Sequence, residues 1–526
     1  MNGGGSSRLI RALSNPAVFG DETTSVVVIE THISWVLLTG RFAYKIKKPV
    51  NLGFLDFSTL DKRRRYCEEE LRLNRRLAPE IYLDVVPVSG TVESPRLAGD
   101  GEPIEFAVKM RQFPQEALLS RALADGRLSL AHIDRLAQEV AEFHAQAAVA
   151  PAESSFGTPE RIEQPVLENF SRLIDADLDA AVHSRIARLR DWSLREFAGH
   201  RGEFESRRRA GFVRECHGDM HLGNMILDGE EVVLFDCIEF NEHLRWIDVA
   251  SEVAFCTMDL EDRGRADFAR RFLNAYLEIT GDYAGLTVLP FYRTYRALVR
   301  AKVAQLRADQ PGVEAEDLRK LRTEVLGYLT LAERYTQPAR PFLLVTHGFS
   351  GSGKTTSTQG VVETLGAIRV RSDVERKRLA GLEALSRTSS GVEQDLYSKD
   401  ATTKTYAKLA ELAGQVLRAG FSVIVDATFL KRQQRKEFRK LGERLHVPFL
   451  ILDFQAREET LRHRVKDRAR AGSDASEAGL AVLEHQLRTR EPLAADELPS
   501  ALPVDIEDPQ AAGHLAAELK RRFQQP

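Results

Sequence analysis

The run Gly348-Phe-Ser-Gly-Ser-Gly353-Lys354-Thr355 constrains the fold of its surroundings more tightly than any other stretch of the chain. Its glycines let the backbone wrap until N–H groups point inward at phosphate oxygens. Lys354 is then set to reach the β- and γ-phosphates, and the Thr355 hydroxyl to meet magnesium. The loop demands a strand before it and a helix after it. The apolar run Phe342–Thr346 and a helix-compatible stretch supply both. The predicted nucleotide-contacting set is Gly348, Ser350, Gly351, Ser352, Gly353, Lys354, Thr355 and Thr356.

The pattern continues beyond the loop. Strand signals at Phe342–Thr346, Ala367–Arg371, Ser422–Asp426 and Phe449–Asp453 alternate with helical stretches, which predicts an α/β domain with a parallel sheet. Asp426 ends one of these strands and is the natural second carboxylate for a magnesium ion. Asp373 follows the second strand, where strand C-termini converge on a ligand crevice. It is read as an acceptor-side base, against the plainer reading of a helix N-cap. Arg464 and Arg468 lie four apart on one helix face, suiting a lid that closes cations over phosphates and equally a solvated face.

A second constellation lies more than a hundred residues upstream. His217-Gly-Asp219 is followed by Asn224, a tight-hairpin signal at Asp228-Gly229, and then Asp236. Phosphoryl transfer needs a group near the acceptor hydroxyl to take its proton, and magnesium to neutralise the phosphates. An Asp, an Asn five residues on and a second Asp beyond a hairpin reproduce that order. Further upstream, Phe42-Ala43-Tyr44-Lys45 looks like the strand that presents a phosphate-binding lysine, with Glu70 as its orienting partner. Lys47 and Lys48 compete for the first role, and Glu68 and Glu69 for the second. Cys216, His217, His221 and Cys237 carry zinc-ligand chemistry, but the glycine-broken segment reads as a loop and argues against a zinc site. His144 reads as a satisfied core histidine.

Organisation follows from the seam Tyr335-Thr-Gln-Pro-Ala-Arg-Pro341, whose two prolines cannot continue a helix. Before it, strands precede helices. Ser34–Thr39 and Arg41–Lys47 form a hairpin near Gly40, a charged helix spans about Thr59–Leu77, and strands follow at Tyr82–Val88 and Ile104–Arg111. From there to the seam the pattern is mostly helical, with Ile133, Leu136, Val140 and Phe143 on one apolar face. The predicted layout is residues 1–335, with a small lobe at about 20–112 and a larger one at 113–335, then a linker at 336–341 and a second domain at 342–526.

At 526 residues the chain is too long for one core, and 43% hydrophobic with 29% charged residues is an ordinary globular balance. A net charge of −3 gives no global reason to bind nucleic acid or an anionic membrane. The basic runs Lys62–Arg65, Arg207–Arg209 and Arg435-Lys436 read as solvated helix faces. The opening Met-Asn-Gly-Gly-Gly-Ser-Ser reads as a flexible tail, no run approaches a membrane span, and four scattered cysteines fit a reducing cytoplasm.

The stretch Val213-Arg-Glu-Cys-His-Gly-Asp-Met-His-Leu-Gly-Asn224 resembles the catalytic loop of the aminoglycoside phosphotransferase family. The resemblance implies an α+β bilobal, protein-kinase-like fold over roughly residues 20–335 with ATP between its lobes. Asp219 would be the base, Asn224 and Asp236 magnesium ligands, and His217 a brace of the loop. One departure stands out: no Gly-x-Gly-x-x-Gly precedes Lys45, so the Thr39-Gly-Arg41 turn is left to cover the phosphates. The P-loop, Asp373, Asp426-Ala-Thr428 and the paired arginines resemble the small P-loop kinases, among them gluconate kinases, zeta-toxin-like kinases and the kinase module of polynucleotide kinases. The resemblance implies a bifunctional, ATP- and magnesium-dependent phosphotransferase. Its acceptors would be alcohols of small metabolites, a sugar, aminosugar or aminoglycoside-like compound at the first site. A nucleic-acid 5′-hydroxyl is left open only at the second. The rival reading is a nucleotide-dependent switch or scaffold carrying a degenerate kinase-like module.

Overall fold

The computed structural model describes every residue except 1–2, 21, 54, 177, 311, 383–397, 472–478 and 524–526. Two compact units emerge: Met1–Ser171 with Arg201–Asp259, and Arg172–His200 with Leu260–Pro526. Packing therefore divides the molecule differently from the proline seam. The helices Ala266–Thr280, Leu289–Ala308 and Ala315–Tyr335 belong to the unit that holds the P-loop. Polar contacts explain this: Asn274 Oδ1 accepts from Arg369 N at 2.7 Å, Arg369 pairs with Glu278 at 2.9 Å and Arg271 with Glu363 at 2.6 Å.

In the first unit an antiparallel sheet runs β1 (Val27–Glu30), β2 (Ser34–Leu38), β3 (Phe42–Lys47), β6 (Glu105–Arg111), β4 (Tyr82–Gly90), β5 (Pro95–Leu97). Gly40, at φ +93°, makes the turn between β2 and β3. The helix Leu60–Asn74 starts at Thr59, whose hydroxyl accepts from Lys62 N. The glycine-rich opening is not a loose tail. A helix spans Gly3–Leu13, and Leu9, Ile10 and Leu13 bury against Leu37, Tyr44, Ile46 and Val88. Those three apolar residues share one helical face, and its burial outweighs the poor helix propensity of the glycines. Ile133, Leu136 and Val140 are fully buried in the helix Leu130–Gln146. The short strands β7 (Val213–Glu215) and β10 (Trp246–Asp248) pair, while β8 (Met225–Asp228) and β9 (Glu231–Leu234) form the hairpin turning at Gly229.

The second unit holds a five-stranded sheet, every neighbouring pair parallel. Its order is β12 (Ile368–Arg371), β13 (Val423–Asp426), β11 (Leu343–His347), β14 (Phe449–Gln455), β15 (Ala501–Asp505). β15 escapes a sequence reading because Pro503 argues against a strand. It is an edge strand, where a missing N–H is tolerated. Leu344, Ile424, Leu452, Val361 and Leu519 share the core on one side of this sheet.

Each basic run is corrected at one arginine. Arg63 is buried against Glu105, Arg207 against Asp248 and Arg435 against Glu497. These are structural ion pairs rather than solvated faces. Arg435 also donates Nη1 to the carbonyl of Phe429 at 2.9 Å, fixing the segment that leaves β13 after Asp426. Replacing Arg435 by Ala strands the buried Glu497 carboxylate and is expected to cost about 3–5 kcal/mol. Urea denaturation measures it, and an unchanged midpoint would contradict the structural role.

Candidate active sites

The first site is built on strand periodicity. Residues two apart on a strand share a face, so Lys45 and Lys47 of β3 both turn toward the helix Leu60–Asn74. Glu70 receives both. Its Oε1 lies 2.8 Å from Lys45 Nζ and its Oε2 2.6 Å from Lys47 Nζ. Lys45 reaches on to Asp236 Oδ1 at 2.6 Å, and Lys47 to Glu239. The competing residues sort themselves elsewhere: Lys48 pairs with Glu30, Glu68 with Arg64, and Glu69 with Arg72 and Arg245. Sequence reading missed that Lys47 shares Glu70, although the two-residue spacing carried the signal. Glu239 had no such signal.

Charge balance explains how this cluster survives burial. Burial alone pushes the Glu70 carboxyl up, but the ammonium groups of Lys45 and Lys47 outweigh it and hold it below the ordinary carboxylate range. Burial would likewise lower Lys45, yet Asp236, Glu70 and Glu239 outweigh that and raise it. Burial raises Glu239 despite the opposing Lys47.

The loop after β7 is pinned from beneath by a buried carboxylate. Glu252 accepts from His217 N at 3.0 Å, from Gly218 N at 2.6 Å and meets His144 Nε2 at 3.0 Å. Gly218 sits at φ +89°, and a Cβ there would stand 2.7 Å from the Leu244 carbonyl oxygen. His217 Nε2 donates to the Phe235 carbonyl at 2.8 Å, while Nδ1 accepts from Asp219 N at 3.3 Å, which fixes the ring tautomer. That ring ties the loop to the end of the β8–β9 hairpin. Asn224 Nδ2 donates to Asp219 Oδ2 at 2.9 Å and to its carbonyl at 3.0 Å. His221 Nε2 also faces Asp219 Oδ2, at 3.3 Å.

Asp236 adopts φ +65°, uncommon for a non-glycine and characteristic of functional loops. Its backbone N–H meets the Tyr82 hydroxyl at 3.2 Å, and the next residue, Cys237, donates its N–H to Asn74 Oδ1 at 2.8 Å. Asn74 in turn donates to the Glu70 carbonyl, so one helix holds both Lys45's partner and the backbone at Cys237, next to Asp236. Lys45, Glu70, Asp219, Asn224 and Asp236 are thus linked through side chains and backbone within one unit. At the Thr39-Gly-Arg41 turn, Gly40 N already donates to Gln112 Oε1 at 2.9 Å. Among the described residues the metal-sized donor group is His144, Cys216 and Glu252, not Cys216, His217, His221 and Cys237. Both Glu252 oxygens in it are taken by backbone N–H groups.

In the second site, β11 leads into the loop, and Gly348, Gly351 and Gly353 take φ of +152°, +84° and +70°. The helix Lys354–Leu365 begins immediately after. Lys354 Nζ lies on the loop's own carbonyls, 2.7 Å from Phe349 O and 3.2 Å from Gly348 O. Because β13 neighbours β11, Asp426 lies beside the first turn of that helix, and Thr355 Oγ1 donates to Asp426 Oδ2 at 2.6 Å. Arg464 stands over the loop: a Cβ built on Gly353 would be 3.3 Å from its Nη1. The side chain of Arg468 lies outside the described residues. Gln486, missed from sequence, accepts from Ser350 N at 2.9 Å and donates to Ser350 Oγ at 3.0 Å. Ser352 is buried and Thr356 exposed.

Asp373 is not the N-cap. The helix is Ser372–Leu379, with Arg371 at the N-cap position making no side-chain capping bond, which leaves Asp373 in the first turn. Burial pushes the nearby Tyr406 hydroxyl above its ordinary value, and the Asp373 charge adds a smaller push in the same direction. That hydroxyl accepts from Phe429 N at 3.0 Å and sits 3.4 Å from Thr428 Oγ1.

The Glu252 cradle yields a pH-dependent prediction. Glu252 is fully buried and, despite that burial, hydrogen bonds and His144 hold its carboxyl at about 2, against an ordinary 4.5. A depressed pKa adds stability above the unfolded value that is lost as pH falls through the folded one. The stability gap between wild type and Glu252→Gln should be full above about pH 4.5 and close as pH falls toward 2. Denaturant melts across that range test it, and a pH-independent gap would contradict it.

Two family models match the chain: the Phosphotransferase enzyme family over residues 54–289 and an AAA domain over residues 343–493. An uncharacterized protein of Mycobacterium tuberculosis is 31% identical over 450 residues, covering 85% of this chain and 87% of the relative. Among solved structures, a sugar kinase from Janibacter sp. HTCC2649 is 24% identical with TM-score 0.26, covering 34% of this chain and 93% of its own. Amicoumacin kinase hAmiN, in complex with AMP-PNP, Ca2+ and Ami, is 13% identical with TM-score 0.40, covering 63% and 96%. The chain belongs to the same family as the mycobacterial protein: an ATP-dependent, kinase-type phosphotransferase in which a phosphotransferase-family domain is fused to a P-loop domain.

Proposed function

We propose that the chain is a bifunctional phosphotransferase, with one active site in residues 1–335 and a second in residues 342–526, residues 336–341 joining them. Each site transfers the γ-phosphate of ATP to an alcohol of a small metabolite, a sugar or aminosugar at the first. The observation that carries this reading is the joint one at Lys45, Glu70 and Asp236, with Asp219 and Asn224 held together beside them. A degenerate binding module has no need to keep all five.

At the first site the acceptor hydroxyl gives its proton to Asp219 Oδ while its oxygen attacks the γ-phosphorus. The bond from that phosphorus to the bridging oxygen breaks, and ADP leaves. Lys45, oriented by Glu70, holds the phosphates, and His217 keeps the loop in place. The donor set suits magnesium: Asn224 binds Asp219 through Nδ2, which leaves its Oδ1 for a cation, and the Asp236 carboxylate is 41% exposed. Magnesium supplies charge neutralisation of the phosphates when bound. At the second site the P-loop N–H groups, Lys354 and Arg464 hold the phosphates. Thr355 and Asp426 take the magnesium, and Asp373 receives the acceptor proton.

The test is phosphorylation from labelled ATP across sugars, aminoglycosides, nucleosides and oligonucleotide 5′-hydroxyls. Asp219→Ala is expected to cut transfer to the first site's acceptor by about 10²–10⁴-fold. Asp373→Asn should do the same to the second acceptor only, with ATP affinity retained. Wild-type transfer in a folded Asp219→Ala protein would overturn the first assignment. Nucleotide binding without transfer to any acceptor would favour a switch.

A further inference from the structure

A cavity of about 420 Å³ lies wholly within the second unit, away from the P-loop glycines. Its walls come from the helices Ala266–Thr280, Leu289–Ala308 and Ala315–Tyr335 and from the C-terminal end of the P-loop helix, at Leu365 and Gly366. That volume falls in the range of small-molecule pockets, roughly 300–1,000 Å³.

The lining is cationic. Among the described residues it carries three arginines, Arg270, Arg293 and Arg334, against one carboxylate, Glu261. That carboxylate is shared: Tyr335 donates its hydroxyl to Glu261 Oε2 at 2.6 Å, and Arg293 Nη1 lies 3.6 Å from Oε1. Arg270 is committed through one nitrogen, its Nη1 donating to the carbonyls of Glu363 at 2.9 Å and Thr364 at 2.6 Å. A guanidinium carries N–H groups on three nitrogens, so this bond leaves Arg270 further donors. Burial holds the Arg270 guanidinium below its ordinary pKa, Glu261 opposes the shift and the like charge of Arg293 adds to it. Arg270, Arg293 and Arg334 therefore line one concave, partly apolar space. An anion placed there would relieve their repulsion and match the planar N–H forks.

We propose that this cavity binds a small oxyanion-bearing metabolite, a phosphate ester or a carboxylate. Arg270, Arg293 and Arg334 would take the anion, and Leu273, Leu365 and Phe421 the body of the molecule. The site is independent of both active sites and of how their acceptors are assigned.

The experiment uses the full chain saturated with AMP-PNP and magnesium, so that both nucleotide sites are filled. Inorganic phosphate, glucose 6-phosphate and citrate are titrated calorimetrically. At least one is expected to bind, glucose 6-phosphate leading if the natural ligand is a phosphate ester and citrate if it is a carboxylate. Arg334→Glu, a change at an exposed rim position, should weaken that binding at least tenfold and leave AMP-PNP affinity and melting temperature unchanged. Arg270→Gln should weaken it similarly. Failure of all three probes to bind, or equal binding to the wild type and Arg334→Glu, would overturn the proposal.

Discussion

Taking a carboxylate such as Glu70 fully out of water costs several kcal/mol unless cations meet it in good geometry. Two do, one on each oxygen, and the alternation of β3 is what delivers them. Because Lys45 and Lys47 each hold a second acid, the cluster extends to Asp236 and Glu239 and draws sheet, helix and hairpin into one arrangement. Asn74, one turn on from Glu70, repeats the connection through the backbone. Removing Glu70 would leave each ammonium with one acid and would break the link between Lys45 and Lys47.

The second unit solves the same problem by topology. A parallel sheet places the C-terminal ends of neighbouring strands side by side, so the loop after β11 and the acid ending β13 meet without any long connection. Asp426, almost fully buried, is satisfied by the Thr355 hydroxyl. Lys354 rests on the loop carbonyls, which keeps a cation satisfied within the loop itself. Here the motif and the sheet order do most of the positioning, and side chains such as Gln486 add to it.

Local patterns carried much of this into the sequence. The P-loop, the β8–β9 hairpin at Asp228-Gly229 and the buried face of the helix Leu130–Gln146 are short-range signals, and each has its counterpart in the fold. What escaped reading depends on partners distant in the chain. Glu252 looks like one more helical acid until His217 and Gly218 fold onto it. Arg435 sits in a basic run and becomes structural only because Glu497 reaches it. Asp373 was readable as a cap because capping depends on register, and the helix begins two residues earlier than that reading required. The N-terminal helix was obscured by its glycines, whose weak propensity the burial of Leu9, Ile10 and Leu13 overrides.

If the cluster around Glu70 builds a working nucleotide site of its own, that site must bind ATP without help from the P-loop. Counting bound AMP-PNP per chain by equilibrium dialysis, with magnesium, addresses this directly. The account predicts two nucleotides per wild-type chain and one per Lys354→Ala chain. A folded Lys354→Ala protein that binds none would contradict it, leaving the P-loop as the sole nucleotide site.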